Sequence, residues 1–175
     1  MRKALYILGD LAEEDVVFLS KAGSIVELGE GERLVRAGVP VEALYFLTAG
    51  AMDVRLANGA VVASLGVGDV IGEMSFVEKR PPDTDVIASE PCRLLAVPRD
   101  ALDRELGTNP AFAGRFFKAL ATFLSDRLRS LTADVAGSGG GDGEIDERLL
   151  DIVHVAGDRM VRLIALMDEE HGAVG

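Results

Sequence analysis

The sequence predicts a mainly β domain with flanking helices, of sandwich, jelly-roll or small-barrel type, and three observations carry that expectation. Short apolar strands recur at intervals of roughly eight to twelve residues between Ser24 and Val97. Turn-forming clusters separate them, among them Gly29-Glu30-Gly31-Glu32, Ala37-Gly38-Val39-Pro40 and Asn58-Gly59. Beyond Pro98 the apolar period lengthens from that of a strand to that of a helix.

The chain opens on Asp10-Leu11-Ala12-Glu13, a capping-box pattern in which Asp10 would accept an amide of the first turn and Glu13 would reach back. Leu11, Val16, Leu19 and Ala22 then share one helical face, and Gly23 ends the helix. Strands follow at Ile25–Leu28, Leu34-Val35 and Leu44–Leu47. Met52, Val54 and Leu56 alternate with Asp53 and Arg55, as on a half-buried strand, and Asn58-Gly59 signals a hairpin returning through Val61–Leu65. The stretch from Gly66 to Ala88 is the organising one. Val67-Gly68-Asp69 makes a turn, Val70-Ile71 a short strand, Gly72-Glu73 opens a helical turn through Met74, Phe76 and Val77, and Pro81-Pro82 breaks it. A loop of this form turns backbone amides and one carboxylate toward a common hollow, a means of holding a small anion with a sugar attached. Val86–Ala88 and Arg93–Val97 supply the last strands, and Cys92 reads as a small core residue.

Asp100–Leu106 is expected to be a short helix, and Asn109-Pro110 the cap and first position of a long one through Leu131. In it Phe117, Ala121, Leu124, Leu128 and Leu131 form a heptad seam, while Phe116, Leu120 and Phe123 line a second apolar face. One face can cover the β domain and the other a partner helix, so a homodimer is expected. Residues 133–143 read as a Gly-rich linker, and residues 144–171 as an amphipathic tail helix with Leu149, Val153, Met160, Leu163 and Met167 on its seam. That stripe must be covered by its own domain, by the dimer or by another protein.

Charge and composition exclude several classes. The net charge is −11 and no Lys/Arg cluster exists, which argues against nucleic-acid binding. The tail helix carries more acids than bases, unlike a membrane-surface helix. No apolar run reaches the roughly 18 residues of a membrane span, and MRKALYILGD is too short for a signal peptide. A single cysteine excludes an internal disulfide and suits a reducing compartment, so a cytoplasmic location is expected. The only histidines, His154 and His171, lie in the tail, so no His-based metal site, Ser/His/Asp or Cys/His arrangement can be built on the β domain. No catalytic residue, metal or cofactor is expected.

Three linked segments resemble the cyclic nucleotide-binding domain family of catabolite-activator-type regulators, protein kinase A regulatory subunits and nucleotide-gated channels. GERLVRAGVPVEALYFLTAGAMDV is similar to the family's opening strands, LGVGDVIGEM to the start of its phosphate-binding cassette, and NPAFAGRFFKALATFLSDRL to its dimerising helix. The likeness covers roughly residues 5–132 and implies a β jelly roll (a double-stranded β-helix) with an N-terminal helix, a C-terminal dimerisation helix and here an extra tail helix. It further implies that Gly72 lets backbone approach a ligand, that Glu73 holds the ribose 2′-hydroxyl, and that Met74 and Ser75 offer amides to the cyclic phosphate. The family then places an arginine ten residues after the glycine. This chain has Pro82 there, followed by Asp83, Thr84 and Asp85. Losing a charge-assisted partner of a buried phosphate commonly lowers affinity about a hundredfold, and nearby carboxylates add repulsion. Arg80 is the nearest replacement cation, and Asp83 and Asp85 are expected to be solvated loop acids. No helix-turn-helix follows the long helix. The expected function is thus a non-catalytic regulatory or protein-interaction module with weak or lost cyclic AMP and cyclic GMP binding; the alternative is a genuine sensor of a cyclic nucleotide or other small ligand, signalling through its C-terminal helices.

Overall fold

The computed structural model describes residues 5–135 and 147–171. Two helices, α1 (Leu5–Asp10) and α2 (Glu13–Ala22), precede strands β1 (Ser24–Leu28), β2 (Arg33–Val35), β3 (Ala43–Ala49), β4 (Met52–Arg55), β5 (Val61–Leu65) and β6 (Val70–Ile71). A short helix, α3 (Glu73–Glu78), leads to β7 (Asp85–Ala88) and β8 (Cys92–Pro98). Helices α4 (Arg99–Thr108), α5 (Pro110–Val135) and α6 (Glu147–His171) complete the described chain. The strands pair antiparallel into two sheets, β1-β8-β3-β6 and β2-β7-β4-β5. The β jelly roll with flanking helices expected from the sequence is the observed fold.

Alternation along the strands divides the interior into two cores. On β3, Leu47 faces the space between the sheets with Met52, Val54, Ile71 and Leu94. Its neighbours Leu44 and Phe46 face the opposite side, where they meet Leu95, Val97 and the helices. Strand β8 contributes to both cores because its side chains reach opposite faces of the sheet, Leu94 toward one and Leu95 and Val97 toward the other. Its run Leu94-Leu95-Ala96-Val97 is buried throughout, as a central strand covered on two faces should be. Cys92 lies in the inter-sheet core, and burial pushes its thiol pKa up.

Several boundaries move from their expected places. The capping pair of α2 is Ala12 and Asp15, because α1 continues to Asp10; the Asp15 carboxylate accepts the Ala12 amide at 2.7 Å. Asp10 instead pairs with Lys118 of α5 at 2.8 Å. The Asn58-Gly59 hairpin joins β4 and β5, but through a longer loop closed by Leu56 N–H to Ala60 O and Gly59 N–H to Leu56 O. Asn109 caps α5 as expected, its side-chain oxygen accepting the Phe112 amide at 3.1 Å. That helix runs on to Val135, into the segment read as linker; residues 136–143 lie outside the described residues.

On α5, Phe112, Phe116, Ala119, Leu120 and Phe123 are buried, whereas Phe117 and Leu128 are 51% and 63% exposed. Ala121 is exposed and Leu124 half-buried. The two faces distinguished in the sequence are therefore separated in the fold. The tail helix α6 contacts α1, α2 and β1 of its own chain, with Met160, Leu163 and Met167 in the helical core. Those three side chains were expected to be candidates for a partner's surface. Intramolecular burial takes them out of reach, because the domain's own N-terminal helices offer the nearest apolar cover. The side chains of Leu131, Leu149 and Val153 lie outside those described. Arg159 donates to the Leu8 and Gly9 carbonyls at the end of α1, and Arg162 pairs with Glu13 at 3.1 Å, so polar ties flank the apolar contact.

Candidate functional site

The site is built where β6 turns into α3. Asp69 shapes the approach by accepting the Gly66 amide at 2.8 Å, while Gly68 N–H reaches Leu47 O at 2.7 Å. Gly72 adopts φ 95°, a backbone region that side chains disfavour. A β-carbon there would lie 2.9 Å from the Ala43 carbonyl and 3.1 Å from Val41. The glycine is thus required by the close approach of β3's start as well as by its left-handed turn. It lets α3 begin at once with Glu73, which is buried, and Ser75, also buried. The first amides of a helix lack intrahelical acceptors, and in α3 they belong to residues lining a small hollow of ≈ 70 Å³.

That hollow lies against the inter-sheet core. Its walls are aliphatic, from Val35, Val41, Val54, Val70, Ile71 and Val86, and its polar side comprises Glu73, Ser75 and Thr84. A second hollow of ≈ 290 Å³ adjoins it, sharing Val54, Met74, Ser75, Pro82 and Thr84. Glu78, Arg80 and Asp83 stand at this outer part. The structure therefore brings the cassette residues Gly72, Glu73, Met74, Ser75, Arg80, Asp83 and Thr84 around two adjoining spaces, the first of which Arg80 and Asp83 do not line.

The cations are placed decisively. Pro82 forms part of both hollows, and its carbonyl accepts the Gly38 amide at 2.8 Å, fixing the loop to the β2–β3 turn. Arg80 lies outside the inner hollow, its guanidinium shared between Glu78 and Asp83, the latter at 3.3 Å. Asp83 is 82% exposed, a solvated acid as expected. Asp85 is not. It accepts the Ala37 amide at 2.8 Å and stands 3.6 Å from the Arg33 guanidinium, so it ties β7 to the β2–β3 turn. A carboxylate one residue inside a strand finds a cross-strand donor that a loop reading cannot supply.

Sequence reasoning missed Arg99. From the start of α4 its guanidinium donates to Ser75 O at 3.2 Å and Phe76 O at 2.7 Å, and lies 5.2 Å from the Phe76 ring centre. Phe76 in turn meets Phe116 of α5 edge-on at 5.8 Å. The cassette helix is hence joined to α4 and α5, the first two helices after the sandwich. No local pattern marks Arg99, since its partners lie more than twenty residues earlier. Arg99→Ala should cost about 1–3 kcal/mol through lost charge-assisted bonds. Hydrogen exchange should then rise in α3 more than in β3 or β8; equal changes everywhere would show that Arg99 acts on global stability alone.

Residues 25–109 match the family described as the cyclic nucleotide-binding domain. Those residues form a domain of that family. Glutaminase 2 of Bradyrhizobium diazoefficiens is 32% identical over 129 residues, covering 74% of this chain and 20% of the relative. The human voltage-gated inwardly rectifying potassium channel KCNH3 is 37% identical over 118 residues, covering 66% of this chain and 10% of the channel. The chain thus spans a fifth or less of the length of these relatives. Among solved structures, a cyclic nucleotide-binding domain from Methylobacillus flagellatus superposes with a TM-score of 0.69 at 23% identity, covering 81% of this chain and 85% of the other. Cyclic nucleotide-binding domains are generally regulatory. Among the described residues no acidic, Cys or His cluster is placed to hold a metal ion, and no helix is long and apolar enough to cross a membrane.

Proposed function

We propose that this cyclic nucleotide-binding domain is a non-catalytic, cytoplasmic regulatory module whose cassette no longer holds cyclic AMP or cyclic GMP tightly. Its surfaces, above all the helices, would carry the protein interactions. One observation carries the reading: Pro82 forms the wall where the family resemblance calls for an arginine, while Arg80 is held outside by Glu78 and Asp83. A cyclic phosphate in the inner hollow would face aliphatic side chains and the buried Glu73, at a cost of a charge-assisted bond. Phe117, Ala121, Leu124 and Leu128 offer a seam to a second copy. The acidity of the whole chain disfavours nucleic acid.

A second reading, a true small-ligand sensor, draws on the Arg99 and Phe76–Phe116 links. They give a ligand at α3 a route to the helices that would report it. Calorimetric titration of the wild type and Pro82→Arg with both cyclic nucleotides separates the readings. The wild type should show no submillimolar binding. Pro82→Arg should bind at least about tenfold tighter, the worth of one charge-assisted contact. Submillimolar binding by the wild type would overturn the first reading in favour of the second.

A further inference from the structure

Helices α5 and α6 grip the same short turn. Residues 10–15 lead from α1 into α2 and carry four acids in six positions, Asp10, Glu13, Glu14 and Asp15. Carboxylates so close repel one another unless cations stand among them. At the end of α1, Lys118 of α5 pairs with Asp10 at 2.8 Å, and Arg159 of α6 donates to the Leu8 carbonyl at 2.9 Å and to that of Gly9. At the start of α2, Arg115 of α5 bonds Asp15 at 2.6 and 2.8 Å and pairs with Glu14 at 3.4 Å. Arg162 of α6 pairs there with Glu13 at 3.1 Å. The charge of Arg159 also bears on Asp15, the carboxylate that Arg115 holds directly. Each end of the turn is thus held from both C-terminal helices. Arg115 is followed by Phe116, whose ring meets Phe76 of the cassette helix, and Phe112 one turn earlier meets Phe18 of α2 edge-on at 5.4 Å. A displacement of α3 therefore bears on α5 at the position next to its grip on the turn.

We propose that the α1–α2 turn is a shared clasp that couples α5 to the seating of the tail helix α6. A shift of α5 loosens the turn and with it the tail, baring the stripe of Met160, Leu163 and Met167 that the N-terminal helices cover. A cation withdrawn by α5 leaves acids that repel one another where Arg159 and Arg162 dock. The clasp works whether or not a nucleotide is what moves α5, so it stands apart from the reading above. Hydrogen exchange of the full chain, followed by mass spectrometry, tests it by comparing α6 with β8. Arg115→Gln removes a contact that α6 does not make, yet should speed exchange in α6 at least about tenfold, the worth of one charge-assisted bond. Met52→Ala, in the inter-sheet core, should speed β8 while leaving α6 within about twofold, because a tail that opens by itself does not wait for the sandwich to unfold. Arg162→Gln should also speed α6, but by a smaller factor in the Arg115→Gln background, where the turn is already loose. Should Arg115→Gln fail to fold, Lys118→Gln replaces it: its side chain is 72% exposed, and the expected factor is at least about two. Three results overturn the assignment: an α6 that exchanges at the wild-type rate in the α5 variant, equal factors for Arg162→Gln in both backgrounds, or Met52→Ala moving α6 as far as Arg115→Gln does.

Discussion

Replacing Phe116 by alanine should lower the unfolding free energy by about 3–5 kcal/mol, the usual cost of a buried phenylalanine. The side chain is 1% exposed and meets three rings, Phe76 and Phe117 edge-on at 5.8 Å and Phe112 tilted at 5.5 Å. Rings from α3 and α5 bear on the space it fills, so the vacancy closes only if they shift together. In a chain of this size the loss corresponds to a fall in Tm of roughly 6–20 °C. Its neighbour is the control. Phe117 is 51% exposed, and Phe117→Ala should move monomer stability by no more than about 0.5 kcal/mol. Denaturant melts at low protein concentration test both. A loss below about 1.5 kcal/mol for Phe116→Ala would mean that α3 and α5 close around the gap, and with it that the ring is not the link between cassette and helix.

Period-two alternation made the strands legible because most of them lie between one buried and one wetter face. Met52 and Val54 against Asp53 and Arg55 is the plainest case, and the turn at Asn58-Gly59 set the pairing of β4 with β5. The family resemblance supplied the cassette around Gly72, and the two apolar faces of α5 were separable from spacing alone. What stayed hidden depends on residues far apart in the chain. The pairing of β1 with β8 joins residues about seventy positions apart, and nothing local to Ser24 names its partner. Asp85 looked like its exposed neighbour Asp83 until the Ala37 amide supplied a donor 48 residues away. The tail helix showed its apolar stripe in the sequence but not what covers it, since Met160 and Leu163 meet helices at the opposite end of the chain. Arg99 stayed hidden for the same reason. A single arginine at a helix start carries no periodic signal, and its value comes from the carbonyls it reaches.

The same limit hid a charge pair that should dominate the acid limb of stability. Asp15 is 2% exposed and receives two bonds from Arg115, at 2.6 and 2.8 Å, across 100 residues. Burial pushes its carboxyl up. The Arg115 hydrogen bonds, the Ala12 amide and the charges of Arg115 and Arg159 more than offset this, leaving the pKa below its ordinary value of 3.8. A carboxylate depressed in the folded state stabilises above its unfolded pKa, and that contribution vanishes as pH falls through the folded value. Asp15→Ala should therefore cost about 2–4 kcal/mol at pH 7, where a charged partner loses its carboxylate and the Ala12 amide its acceptor. Asp15→Asn keeps the shape and an acceptor for Ala12, so it should cost less. Its deficit against the wild type should hold from pH 7 to about pH 4 and shrink below that, as the native carboxylate takes up its proton. Chemical denaturation at steps from pH 7 to pH 2.5 measures the difference directly. Parallel stability curves down to the lowest pH would show that α2 and α5 are held by packing alone, with the ion pair contributing nothing between them.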